Sequence, residues 1–262
     1  MKTVLEFKAR KGQGRISMST AYTAWEARFL AASAVDCVLV GDSVATVVDG
    51  EATTFAATPE IMARHTAAVA RGLDGTKFII ADFPFLAARK GIEPAVECAA
   101  LLMRAGAHAV KIEGIDGHAD VVHHLVESGV PVVAHLGLTP QSVNALGGYK
   151  VQGKTEAAAE ALLRQARAAE AAGACGLVLE CVPSGLAQTI TAALAIPVIG
   201  IGAGPHTDGQ VLVFHDLLEL NPGFAPRFVR AFADAGGAVA SGLNAYAAAV
   251  ADGSFPSQKE SY

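Results

Sequence analysis

The sequence is short of charge, of aromatic rings and of clustered positive charge. Only 17% of its 262 residues are Asp, Glu, Lys or Arg, 6% are aromatic, and there is a single Trp. The formal net charge is −5 and no basic block interrupts the chain, which excludes nucleic-acid binding by serial neutralisation of phosphates. No apolar run approaches the roughly 20 residues of a membrane-spanning helix. The stretch 1–14 is polar, with Lys2, Lys8, Arg10 and Lys11, and lacks the apolar centre of a secretory signal. A cytoplasmic protein without a membrane partner is therefore expected. Cysteine is also sparse: Cys37, Cys98, Cys175 and Cys181 form no C-x-x-C pair. Buried free thiols are expected rather than a disulfide framework or a structural zinc site.

What is abundant is short apolar runs, and hydrophobic residues make up 52% of the chain. The runs at 15–20, 36–41, 77–81, 107–113, 130–135, 176–180, 197–201 and 211–214 are predicted strands. Between them lie Ala-rich stretches with helical spacing at 25–34, 59–71, 93–105, 117–128, 156–172 and 184–195. Thr58 followed by Pro59 is a helix start, a capping residue and then proline at the first helical position. The tail from about 226 to 251 reads as helices broken at Gly236-Gly237. Eight strand–helix alternations give an α/β fold with a parallel sheet. A closed (β/α)8 barrel is preferred to an open doubly wound sheet, because polar residues follow nearly every strand instead of clustering at one switch point. A single domain over 1–262 is expected, with a C-terminal helical extension from about 226.

Asp42, Asp82, Lys111 with Glu113, and Glu180 each fall at the end of a different apolar run. Charged groups are costly to bury unless paired or bound to metal, so their repetition points to convergence at the C-terminal rim, where barrel chemistry takes place. Asp42, Asp82 and Glu113 offer three hard oxygen donors, suited to Mg²⁺, with Mn²⁺ as a substitute. Lys111 and Glu113, two apart on one strand, share a face; the anion that meets Lys111 is either Glu113 itself or a substrate carboxylate. His135 ends the run 132–135 and is a candidate for a catalytic or orienting role. Glu180, after Leu177-Val178-Leu179, is a carboxylate in an apolar setting suited to a general base near neutrality. His123-His124 is expected on a solvated helix face. The string Gly200-Ile201-Gly202-Ala203-Gly204 follows the seventh predicted strand, not the first βα turn, so dinucleotide binding is a weak reading of it. Close ligand approach or strand–helix packing explains it better. The stretch 137–154 is polar and Gly-rich for a connection, and loops of that length are commonly functional.

These residues sit in strings that resemble the ketopantoate hydroxymethyltransferase family. They include Val40-Gly41-Asp42-Ser43, Ala81-Asp82-Phe83-Pro84-Phe85, Val110-Lys111-Ile112-Glu113-Gly114, His135-Leu136-Gly137-Leu138-Thr139-Pro140-Gln141-Ser142, Gly147-Gly148-Tyr149-Lys150-Val151-Gln152-Gly153, Leu179-Glu180-Cys181-Val182-Pro183 and Thr207-Asp208-Gly209-Gln210. The resemblance implies a TIM barrel of the phosphoenolpyruvate mutase/isocitrate lyase type. It implies Asp42, Asp82 and Glu113 as magnesium ligands, and Asp42, Ser43, Asp82 and Lys111 as the cradle of a small 2-oxo acid. Glu180 is implied as proton acceptor. The implied reaction passes a hydroxymethyl group from 5,10-methylenetetrahydrofolate to 3-methyl-2-oxobutanoate through a magnesium-stabilised enolate, giving 2-dehydropantoate for pantothenate synthesis. The implied assembly is a homo-oligomer, a decamer. The chain departs from the family pattern at Thr23, where Asp is usual, at Val44-Ala45 in place of Leu-Gly, and at Arg64 in place of Tyr. Rival readings are another Mg²⁺-dependent oxo-acid lyase or mutase of the same superfamily, a Schiff-base aldolase using Lys111, and a non-catalytic oxo-acid-binding protein.

Overall fold

The computed structural model describes residues 1–221, 223 and 226–262. The chain forms two compact units, Met1–Leu212 and Val213–Tyr262. In the first, β1 (Ile16–Thr20), β2 (Cys37–Val40), β3 (Phe78–Asp82), β4 (Ala109–Glu113), β5 (Val132–Gly137), β6 (Gly176–Glu180), β7 (Val198–Ile201) and β8 (Gly209–Leu212) pair in sequence order. All pairs are parallel, and β8 returns to β1, so the sheet closes into a barrel.

Helix α1 (Val4–Ala9) precedes the barrel; α2 (Ala24–Ala32), α3 (Val44–Val47), α4 (Pro59–Leu73), α5 (Ile92–Arg104), α6 (Ala119–Glu127), α7 (Val143–Leu146), α8 (Glu156–Ala171) and α9 (Ser184–Ala193) fall between its strands. Helix α4 starts as its sequence dictates: the Thr58 hydroxyl accepts from the Ile61 amide and Pro59 takes the first position. It stops at Asp74 in the left-handed region, φ 47°.

Side chains in a strand alternate between faces, and one parity fills the barrel interior. Ile16, Met18, Cys37, Leu39, Phe78, Ile80, Ala109, Val133, Val178, Ile199 and Val211 form the inner core. Phe7 of α1, fully buried and stacked on Phe78 at 5.6 Å between ring centroids, joins this core. The four cysteines are free and buried, and His123 and His124 are exposed on α6.

The departures from the family pattern have local explanations. Thr23 caps α2 and forms a capping box with Glu26, a task Thr performs as Asp does. Ala45 lies in α3, outside the positive-φ residues, so no glycine is required there. Arg64 is exposed on α4.

Two expectations are corrected. The eighth strand lies at Gly209–Leu212 and not at 211–214. Its register is set by closure, with Ile16 opposite Gly209 and Ile199 opposite Gly209. In the second unit, after α10 (Phe214–Leu217), helix α11 (Ala235–Ala251) runs through Gly236-Gly237 without a break. Asp234 caps it by accepting from the Gly237 amide at 2.7 Å, which places both glycines in the first turn, where their cost in a helix interior does not apply. Among the described residues no helix is long and apolar enough to cross a membrane.

Candidate active site

The inward parity that is apolar low in the barrel becomes charged at its C-terminal end. On β3, Phe78 and Ile80 are followed by Asp82; on β4, Ala109 by Lys111 and Glu113; on β5, Val133 by His135; on β6, Val178 by Glu180. The register puts Asp82 beside Lys111, Glu113 beside His135, and Gly137 beside Glu180. Gly137 has φ +92°, and a Cβ there would collide with the Glu180 carbonyl, so glycine is what lets the end of β5 lie against Glu180. Asp42, two residues past β2, donates its backbone N–H to Asp82 Oδ2 at 3.0 Å.

Asp42, Asp82, Lys111 and His135 are all buried. Lys111 Nζ lies 3.2 Å from Asp82 Oδ1 and 3.1 Å from His135 Nδ1. Its ion-pair partner is thus Asp82, across the strand, and not Glu113 on its own strand. Burial works against the Lys111 charge, but Asp82, Glu113 and Asp42 outweigh it and hold the ammonium above the ordinary lysine range. A lysine held so firmly protonated is a poor Schiff-base nucleophile, which disfavours the aldolase reading.

Burial raises the three carboxyls, and their neighbours add to it. Asp42 is pushed up to about 6 by burial and then by the charge of Glu113. Asp82 is pushed up to about 7 by burial, with Lys111 opposing and Asp42 adding. Glu113 is pushed up to about 7 by burial, with Lys111 opposing and Asp82 adding. Burial, then the charge of Lys111, lowers His135 to about 4, so its ring is neutral. Nδ1 accepts from Lys111, which leaves the ring proton on Nε2, 3.2 Å from Glu180 Oε2 though off hydrogen-bond alignment. Glu113 Oε1, 3.3 Å from the same Nδ1, receives no hydrogen bond.

Three carboxylates facing one ammonium leave a deficit of two positive charges, which a divalent cation matches. Glu113 Oε1 is buried without a hydrogen-bond partner, and all the donors are hard oxygens. The residues therefore fit Mg²⁺ or Mn²⁺. As the side chains stand, no three His, Cys, Asp or Glu among the described residues are gathered at liganding distance. Asp82 is drawn to Lys111 and the Asp42 amide, and Gln141 lies between Asp42 and Glu113, donating Nε2–H to Asp42 Oδ2 at 2.8 Å and its backbone N–H to Glu113 Oε2 at 3.0 Å.

Ser43 follows Asp42, and its Oγ lies 2.8 Å from the hydroxyl of Tyr22, a fully buried ring just past β1. Tyr149, on the loop after β5, is 60% exposed. Its hydroxyl is raised by burial and then by the charges of Asp42, Glu180 and Glu113. Reasoning from charges passed over Gln141 and Tyr22, because an amide and a phenol carry none. The string Gly200–Gly204 packs: a Cβ on Gly200 would stand 2.8 Å from Thr207 Oγ1.

A closed parallel barrel with its charges gathered at the carboxyl rim defines the class: a (β/α)8 barrel with its site at the C-terminal end of the strands. Among solved structures it is similar in fold to 2,3-dimethylmalate lyase, itself a member of the PEP mutase/isocitrate lyase superfamily, with TM-score 0.63 and 18% identity over 100% of this chain and 92% of the other. It is also similar to phosphonopyruvate hydrolase in complex with oxalate and Mg²⁺, with TM-score 0.65 and 13% identity over 99% and 93%. Residues 1–258 match the ketopantoate hydroxymethyltransferase family, and the chain belongs to that family. The 3-methyl-2-oxobutanoate hydroxymethyltransferase of Bdellovibrio bacteriovorus is 53% identical over 100% of both chains. Its counterpart from Legionella pneumophila is 51% identical over 98% of both.

Proposed function

We propose that this chain transfers a hydroxymethyl group to 3-methyl-2-oxobutanoate from 5,10-methylenetetrahydrofolate, with water, giving 2-dehydropantoate and tetrahydrofolate. The observation that carries this reading is the line Asp82–Lys111–His135–Glu180, buried as far as His135 and half-buried at Glu180, with Asp42 and Glu113 beside it. Asp42, Asp82 and Glu113 would hold Mg²⁺, or Mn²⁺ in its place, and the bound ion would supply Lewis acidity that polarises the ketone and acidifies the neighbouring C3–H. Ser43 and Lys111, with Asp42 and Asp82, hold the oxo acid. Glu180 takes the C3 proton. Lys111, already charged and already desolvated, stabilises the negative charge that develops on the enolate oxygen. The neutral His135 ring stands between Lys111 and Glu180 and orients both. The enolate carbon then attacks the one-carbon unit of the folate.

The assembly expected from the family likeness is a homo-oligomer, a decamer, in the cytoplasm. Helix α11 supports an assembly: it carries no Asp, Glu, Lys or Arg and exposes Val239, Leu243, Tyr246 and Val250.

The test is isotope exchange. Glu180→Gln is expected to abolish deuterium exchange at C3 of 3-methyl-2-oxobutanoate while leaving Mg²⁺ affinity intact; exchange at the wild-type rate would remove Glu180 from the role of base. Formation of 2-dehydropantoate by the wild-type chain separates this reading from that of a lyase or mutase.

A further inference from the structure

The polar loop after β5 carries a residue that binds the site together without any charge. Gln141, in the 3₁₀ turn Pro140–Ser142, donates Nε2–H to Asp42 Oδ2 and to the Phe83 carbonyl, both at 2.8 Å. Its backbone N–H donates to Glu113 Oε2 at 3.0 Å. Asp42 follows β2, Phe83 follows β3 and Glu113 ends β4, so one residue ties three strand ends. At each carboxylate it engages a single oxygen. The other oxygen of Glu113 is buried with no hydrogen bond; at Asp82, by contrast, Oδ2 is held by the Asp42 amide and Oδ1 by the Lys111 ammonium. Anchoring one oxygen fixes the side-chain rotamer and leaves the second for a ligand. The chemistry of the anchor matters as well. A lysine or arginine at this place would cancel the negative charge that attracts a cation, whereas a carboxamide donates two hydrogen bonds and adds none.

We propose that Gln141 is a positioning residue for a divalent cation: it holds Asp42 and Glu113 in place by one oxygen each and thereby sets the affinity of the site for the ion. This rests on the reading of Asp42, Asp82 and Glu113 as the cation's ligands, and deepens it.

The test is calorimetric titration of MgCl₂ into the full chain, comparing wild type with Gln141→Met, which keeps the length and loses the donor, and with Gln141→Ala. The unfolding temperature of each without metal is measured in parallel. Both variants keep the backbone N–H that reaches Glu113, so the difference reports the carboxamide. The expected result is a Mg²⁺ Kd raised about tenfold or more in both variants, the scale of a lost outer-shell hydrogen bond, with the metal-free unfolding temperature little changed. Equal Kd values in all three proteins overturn the inference while leaving the three ligands standing. A weaker Kd accompanied in both variants by a metal-free unfolding temperature lowered by more than about 5 °C assigns Gln141 to general support and also overturns it. No Mg²⁺ binding by the wild type overturns the ligand reading itself.

Discussion

Replacing Asp208 by alanine tests whether the foot of the barrel is stabilised independently of the rim where the chemistry lies. Asp208 is buried one residue before β8. Its Oδ2 accepts from Lys11 Nζ at 2.8 Å and from the Val198 amide, the first of β7, at 2.9 Å. Its backbone carbonyl accepts from the Ile16 amide at 2.9 Å, a bond the substitution spares. Alanine leaves the Val198 N–H buried without a partner, at about 1–3 kcal/mol. The Lys11 pair, with the lysine side chain 23% exposed, adds about 1 kcal/mol at most, since Lys11 also donates to the Thr191 carbonyl. The expected loss is about 1–4 kcal/mol, or about 2–16 °C in unfolding temperature at roughly 2–4 °C per kcal/mol. Lys11→Ala should cost about 1 kcal/mol. Thermal and urea unfolding followed by circular dichroism measures both, and turnover at a temperature where the variants remain folded should match wild type, because the chemistry sits at the rim and this cluster at the foot. An Asp208→Ala loss below about 1 kcal/mol, or a Lys11→Ala loss as large as that of Asp208→Ala, refutes the reasoning that the orphaned amide dominates.

Tyr22→Phe removes the hydroxyl beside Ser43 and should raise the KM for the oxo acid about fivefold, the worth of one hydrogen bond, with little change in kcat; an unchanged KM would show that Ser43 does not depend on Tyr22. Asp82→Ala should weaken Mg²⁺ binding by at least about tenfold, judged against the cost of losing outer-shell partners alone; calorimetry that finds unchanged affinity would place the cation elsewhere.

Much of this architecture is legible in the sequence because strand parity is. Ala109, Lys111 and Glu113 stand two apart, so an apolar inner face that turns charged can be read directly, and the same holds for Ile80 with Asp82 and Val178 with Glu180. What depends on closure is not legible. The run Val211–Phe214 is as apolar as a strand, and only pairing with Ile16 and Ile199 moves the strand back to Gly209. The polar look of residues 1–14 hides α1, because one inward ring, Phe7, is enough to seat it. Gly236-Gly237 reads as a break until Asp234 is seen to cap the turn that contains them. At the site the charged residues announce themselves by the cost of burying them. Gln141 and Tyr22 act through hydrogen bonds whose partners lie far away along the chain, and nothing local marks them.

The two-residue repeat of β4 also limits how this rim can change by insertion or deletion. Adding one residue after Ala109 would turn the ammonium and the carboxylate that follow it toward the surrounding helices and carry Ile112 into the mouth. Adding two would restore their orientation but lift both by about one strand step of 6–7 Å. Point replacement is therefore the one kind of edit that can tune this segment while keeping its charges facing inward at their proper height.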